Sequence, residues 1–209
     1  MRLFLAVVPP AQVLDHLDLA LAATRHGPAG THQAVRWSAR ETWHLTAAFY
    51  GEVPDGAAGS LTAGLEGALA ELSPYSLALR GAGVFAHRTL WVGVGGDTDA
   101  QRRLSELGQG VGDELGLHHD ERERNRAHLT IGRARAGTRP AGRRRSRSSG
   151  PAELSGVDQI VRALAVYDGP SWTVSSVSLM RSEPGAGRSG GPRYTTVTQW
   201  DLEPGTGEP

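Results

Sequence analysis

The tripeptide His-Leu-Thr occurs twice in this 209-residue chain, at His44-Leu45-Thr46 and at His128-Leu129-Thr130. Both copies lie in runs with strand character, residues 42–50 and 126–134. On a strand, alternate side chains share a face. His44 and Thr46 therefore point one way and Leu45 the other, and the second copy repeats the arrangement. The same polar pair on two matching strands constrains the chain to a duplicated architecture, in which an approximate two-fold axis brings both pairs to one cleft.

The remaining elements fit that duplication. Residues 2–8 read as a buried strand, followed by a helix with Pro10 in its first turn and Val13, Leu17 and Leu21 on one face. A short strand is expected at 35–37, and a helix carries Leu61, Leu65, Leu69 and Leu72. Residues 75–85 and 89–94 form an expected hairpin with His87 in its turn. Thr98 with Gln101 reads as a capping box opening a helix with Leu104, Leu107, Val111 and Leu115. Leu154, Val157, Val161 and Leu164 give a fourth helix, and strands at 172–180 and 194–200 close the chain. The expected class is α+β: two similar lobes with largely antiparallel or mixed sheets flanked by helices, one histidine motif per lobe facing a central cleft. At roughly 100–200 residues per domain, residues 1–209 form one domain of two pseudo-symmetric lobes. Residues 137–150 are expected to be a mobile Arg/Gly/Ser-rich loop and 203–209 a frayed tail.

Composition removes several chemistries. There is no cysteine, which excludes disulfides, thiol nucleophiles, cysteinyl zinc and iron–sulfur clusters. There is no lysine either, so a ligase that adenylates its own lysine is impossible. No apolar run approaches the ~20 residues of a membrane span. The run from Leu3 to Val8 stops at Pro9-Pro10, too short for a secretory core, and the expected location is the cytoplasm. The net charge is zero, yet residues 122–147 hold ten arginines and one acid, Glu123. A stretch of +9 set against −9 elsewhere points to an anion-binding side.

Two imidazoles across a cleft suit acid–base chemistry, because one ring can be neutral and its partner charged near neutral pH. Threonine hydroxyls donate hydrogen bonds to an anion without adding charge. The combination fits displacement at phosphorus without a metal or other cofactor. A single His-Leu-Thr carries no such weight, since a strand histidine is more often structural, and a duplicated packing motif is the bland alternative. Leu117-His118-His119-Asp120 lacks a third ligand at convincing spacing and reads as a solvated turn. Residues 93–96, Gly-Val-Gly-Gly, are too degenerate for a nucleotide fingerprint. His16, His26 and His32 carry no partner pattern. Trp43, Tyr50 and Tyr194 are candidates for base stacking, with core packing as the commoner use of strand aromatics. Residues 139–147 either steer RNA toward the cleft or are an inert insertion.

These residues match a known pattern over nearly the whole chain. Arg2-Leu3-Phe4-Leu5-Ala6-Val7, Val35-Arg36-Trp37, residues 42–53 (TWHLTAAFYGEV), Leu90-Trp91-Val92-Gly93-Val94, His128-Leu129-Thr130-Ile131-Gly132-Arg133 and the ending at Tyr194–Trp200 carry it. The chain resembles the two-histidine (2H) phosphoesterases, and among them the RNA 2′,3′-cyclic phosphodiesterases, formerly called 2′-5′ RNA ligases. Ala47-Ala48 replaces the Leu-Lys common there, Ala127 stands where a proline usually precedes the second histidine, and the arginine insert is peculiar to this chain.

The resemblance implies a phosphodiesterase that hydrolyses 2′,3′-cyclic phosphate ends of RNA or oligonucleotides to 2′-phosphomonoesters. It implies His44 as proton donor, His128 as proton acceptor, and Thr46 and Thr130 as phosphate ligands. Arg133 matches a further arginine of the family, although strict alternation turns it away from His128, so it reaches the cleft only where the strand ends or bulges. A monomer with no metal, cofactor or membrane partner is expected. The alternatives are a non-catalytic module that binds nucleotides or RNA ends, and an enzyme for a small cyclic phosphate or a 2′-5′-linked oligonucleotide.

Overall fold

A computed structural model describes residues 1–25, 34–117, 126–135 and 156–204. The expected loop at 137–150, His26, His32, Leu154 and the segment His118-His119-Asp120 lie outside the described residues, as does the tail from 205.

The strands are β1 (Arg2–Val7), β2 (Val35–Trp37), β3 (Leu45–Glu52), β4 (Tyr75–Phe85), β5 (Thr89–Gly96), β6 (His128–Ala134), β7 (Asp168–Val174), β8 (Ser176–Glu183) and β9 (Arg193–Asp201). The helices are α1 (Ala11–Arg25), α2 (Asp55–Leu69), α3 (Thr98–Glu114) and α4 (Gly156–Leu164). The strands form one curled sheet in the order β7-β4-β5-β6-β3-β1-β8-β9, with β2 paired to β6. Every pairing among the described residues is antiparallel, so the mixed alternative falls away there. The order reads as two four-stranded arms meeting at β3 and β6. Neither arm is one half of the sequence. The arm β3-β1-β8-β9 is backed by α2 and α3, while β6-β5-β4-β7 is backed by α4 and by α1, which packs against β7. One continuous hydrophobic core lies under both arms.

The helices form where apolar side chains recur every three or four residues. In α1, Val13, Leu14, Leu17 and Leu21 are buried, and the Pro10 carbonyl just ahead of the helix accepts the amides of Val13 and Leu14. Burying one such side chain is worth about 1.5–3 kcal/mol. In α4 the buried stripe is Val157, Ile160 and Leu164, with Ile160 replacing the expected Val161.

The expected capping box is corrected. Asp97 caps α3, its carboxylate accepting the Ala100 amide at 2.9 Å. Gln101 is buried instead, and its Oε1 accepts the Tyr75 hydroxyl at 2.8 Å. A carboxylate one residue upstream outcompetes the threonine because it satisfies an orphan first-turn amide with a charge at the positive end of the helix. The inner face of α3 is Gln101, Leu104, Gly108, Val111 and Gly112, whereas Leu115 is exposed. The two glycines let α3 approach β3: a Cβ on Gly108 would lie 2.8 Å from Leu5 Cδ2 and 3.1 Å from Ala48 Cβ, and one on Gly112 would lie 3.1 Å from the Tyr50 ring.

Three strand expectations are also revised. The run expected at 42–50 begins at Leu45, because Arg40–Thr42 winds into a 3-10 turn. The run expected at 126–134 begins at His128. Residues 172–180 are not one strand. β7 ends at Val174 on the outer edge of one arm, and β8 starts at Ser176 inside the other. The buried positions change parity there, from Trp172 and Val174 to Val177 and Leu179, as the chain crosses between arms. His87 does sit in the β4–β5 turn, as expected, and both it and Ala86 adopt left-handed backbone conformations, at φ 55° and 46°.

Candidate active site

The two motifs meet where the arms join. Leu45 on β3 pairs with Leu129 on β6, and both side chains are fully buried. Antiparallel register then sets Thr46 opposite His128 and His44 opposite Thr130, all four on the face away from the helices. The two-fold relation inferred from the repeat therefore passes between the two central leucines.

Both histidines are held in the same way. Nδ1–H of His44 donates to the Thr42 carbonyl at 2.8 Å, and Nδ1–H of His128 donates to the Arg126 carbonyl at 2.8 Å. A carbonyl only accepts, so each ring carries a proton on Nδ1 and, when neutral, leaves Nε2 as the acceptor nitrogen. The Thr46 hydroxyl donates to Nε2 of His44 at 3.1 Å. The residue two before each histidine thus fixes its tautomer, which explains why both strands begin only at or after the histidine.

The surroundings of the two rings differ in composition. Phe4 and Tyr194 flank His44, with ring centroids at 4.8 and 5.1 Å. Phe85 and Trp91 flank His128, at 4.9 and 6.4 Å. Phe4 and Ala6 on β1, with Met180 on β8, form a small apolar cluster on the cleft side, separate from the main core, against which Phe49 and Tyr194 pack. Burial drives the His44 pKa from 6.5 down to about 4, against the raising effect of the Thr42 carbonyl, and the nearby His128 lowers it further. Tyr194 is pushed up by burial, while Arg133 and Arg2 pull it the other way.

That influence on Tyr194 reflects a matched pair of irregularities. On β6, Thr130 pairs with Trp91 and Gly132 with Leu90, leaving Ile131 as an extra residue. On β3, Thr46 pairs with Ala6 and Ala48 with Leu5, leaving Ala47 as the extra one. Each bulge follows its His-Leu-Thr directly and reverses the alternation beyond it. Leu90 faces the core and Trp91 the cleft, so Thr89 and its partner Arg133 face the cleft too. The bulge that alternation alone lacked is present, and it puts Arg133 on the face of His128 and Thr130. At the equivalent place on β3 stands Phe49, with the Arg2 guanidinium 4.8 Å over its ring. Ala47 and Ala48 at this bulge are both buried, and Ala48 packs under α3, its Cβ 3.1 Å from where a Cβ on Gly108 would lie.

Of the proposed stacking aromatics, Trp43 and Tyr50 are core residues, and the Tyr50 hydroxyl donates to the Gly108 carbonyl at 3.0 Å. Tyr194 alone reaches the site. Sequence reasoning missed Phe4, Phe85 and Trp91. Their signal was the phase of β1 and of the β4–β5 hairpin relative to the His-Leu-Thr strands, which becomes visible only once the register is known. Among the described residues no group of three or more His, Asp or Glu side chains is gathered to hold a metal ion, and no helix is long and apolar enough to cross a membrane.

The two imidazoles, the threonine hydroxyls beside them and Arg133 lie on one face of the sheet and make the candidate site, and the family of the chain is given by comparison with known proteins. A family model described as the 2′-5′ RNA ligase superfamily matches residues 13–186, and the chain belongs to that family of two-histidine phosphoesterases. A protein of Methanothermobacter thermautotrophicus named RNA 2′,3′-cyclic phosphodiesterase is 27% identical over 206 residues, 96% of this chain and 98% of its own. A protein of the same name from Geobacillus stearothermophilus is 35% identical over 111 residues, half of this chain (50%) and 34% of that protein's length. Among solved structures, TT0787 of Thermus thermophilus superposes with a TM-score of 0.68 at 24% identity, covering 98% of this chain and 100% of its own. LigT of E. coli complexed with 3′-AMP gives 0.61 at 22% identity, with 96% of each chain covered. At these identities the two structures speak for the fold.

Proposed function

We propose that this phosphoesterase opens 2′,3′-cyclic phosphates at the 3′ ends of RNA, releasing 2′-phosphomonoesters. The observation that carries the reading is the matched anchoring of His44 and His128, each by Nδ1–H on the carbonyl two residues before it, on strands paired through Leu45 and Leu129. An anion seated between the two Nε2 atoms would take hydrogen bonds from Thr46 and Thr130 and charge from Arg133. Nε2 of His128 takes the proton of a water whose oxygen attacks phosphorus. The bond from phosphorus to the ribose 3′ oxygen breaks, and His44, protonated while the anion is bound, delivers its proton to that oxygen. The 2′ ester bond remains, so one water is consumed and each histidine ends in its partner's starting protonation state. The names of the two relatives support the cyclic-phosphate substrate, and the complex of LigT with 3′-AMP supports a nucleotide as ligand.

The test is incubation of a dinucleotide bearing a terminal 2′,3′-cyclic phosphate with the protein in excess EDTA, with the product resolved by chromatography. Formation of the 2′-phosphate alone supports the reading. Tight binding without turnover would make the chain a binding module. Turnover of a 2′-5′-linked oligonucleotide or a small cyclic phosphate in preference to the RNA end would replace the substrate. Activity lost in EDTA and restored by one divalent ion would overturn the metal-independent mechanism.

A further inference from the structure

The two aromatic walls of the cleft are not equivalent. Phe4, beside His44, is almost fully buried at 3% exposure, so its faces are spent on packing. Phe85, beside His128, is 38% exposed. It stacks on Trp91 with ring centroids 5.0 Å apart and planes 27° from parallel, and meets the His128 ring edge to face at 4.9 Å. Trp91 is itself a fixed floor. A Cβ at Gly83 would fall 2.3 Å from its ring and one at Gly93 3.3 Å from it, so only side chains this small let the indole lie flat on the sheet. The guanidinium of Arg126 lies over the same ring, 5.9 Å from its centroid, adding a positive charge beside the platform. The turn that carries Phe85 holds Ala86 and His87 in left-handed conformations that side-chain-bearing residues seldom adopt. Such strain persists where the surrounding structure imposes it, and it gathers at ligand-holding sites.

A rigid aromatic face, one ring away from a phosphate-directed imidazole, is what a nucleobase stacks on. We infer that Phe85, supported by Trp91, is the platform for the base of the nucleotide that carries the scissile phosphate, and so a specificity-determining residue of this site. The inference rests on the proposed nucleotide phosphodiester reading. Stacking on one ring is tolerant of base identity, because every base presents a π-face. The platform therefore selects for the presence of a base and discriminates weakly among bases.

The experiment compares kcat/KM for adenosine 2′,3′-cyclic phosphate with that for the abasic 1-O-methylribose 2′,3′-cyclic phosphate, in the wild type, Phe85→Ala and Phe85→Tyr. Any disturbance of His128 by loss of the Phe85 ring acts on both substrates and cancels in their ratio. The expected result is a ratio that falls about 5- to 150-fold in Phe85→Ala, through KM, and returns toward the wild type in Phe85→Tyr. An unchanged ratio overturns the platform. So does an effect seen only with a dinucleotide cyclic phosphate, which would assign Phe85 to the preceding base. If the wild type turns over neither substrate, the functional reading fails by itself. The platform is then read by calorimetry with adenosine 2′-monophosphate and ribose 2-phosphate: Phe85→Ala must weaken the first and spare the second, and equal effects on both overturn it.

Discussion

Leu45 and Leu129 pair across the junction of β3 and β6, each the central residue of a His-Leu-Thr, so the two halves of the site are joined by the repeat itself. Any shift of this register by one residue would turn every polar side chain of one motif into the core. The buried leucines therefore hold the face that carries both histidines in place from behind.

Replacing His44 or His128 by glutamine is expected to lower kcat/KM by roughly 10²–10⁴, the usual contribution of one acid or base. Both variants should unfold cooperatively near the wild-type midpoint at neutral pH, since neither residue belongs to the hydrophobic core. Wild-type turnover in either one contradicts the two-histidine mechanism.

His44 is neutral at pH 7 in the free protein, with its pKa held near 4 mainly by burial. Its proposed role as proton donor requires the bound anion to raise that value. Ring proton resonances followed by NMR should show His44 titrating at about 4 alone and at higher pH in saturating phosphate. A titration that ignores phosphate would transfer the donor role to His128.

The same depression links stability to pH. Between pH 6.5 and about 4 the unfolded chain binds a proton at His44 that the folded chain does not. Stability therefore rises with pH across this window and is complete above it, by up to roughly 3 kcal/mol from this one group. Urea midpoints measured at pH 7 and pH 4.5 should differ less in His44→Gln than in the wild type. An equal difference in both would mean that burial does not perturb the ring.

Arg133→Gln should weaken transition-state binding by about 1.5–3 kcal/mol, the range for a hydrogen bond to a charged group, read as a 10- to 150-fold loss in kcat/KM. Arg133→Lys should recover only part, because a point charge replaces a planar fork. A silent Arg133→Gln would confine the residue to the sheet surface.

On α3, Gly108→Val should destabilise by about 1–3 kcal/mol, because a Cβ there already meets Leu5 and Ala48. Gly110→Ala on the same helix should gain about 0.5–1 kcal/mol, since nothing lies within 4 Å of its added Cβ. Thermal unfolding of the pair checks both signs. Equal effects would mean that α3 does not press on β3 through Gly108.

The sequence alone determined most of the elements, the α+β class and the four residues of the repeat, because those properties are local. Alternation puts His44 with Thr46 and His128 with Thr130 in any strand of any sheet, and 3.6-residue spacing marks α1 whatever it packs against. Tertiary structure decided what depends on pairing. The arms draw their strands and helices from opposite ends of the chain, since β1 and β8 pair while α1 crosses to β7. The break at Ser175 follows from that crossing, and the parity change around it was the one trace left in the sequence. Arg133 faces the cleft only because Ile131 is skipped in the β5 register, and Phe85 and Trp91 join His128 only because the hairpin lies beside β6. A bulge is one residue of mismatch between two strands distant in sequence, so no periodicity within either strand encodes it.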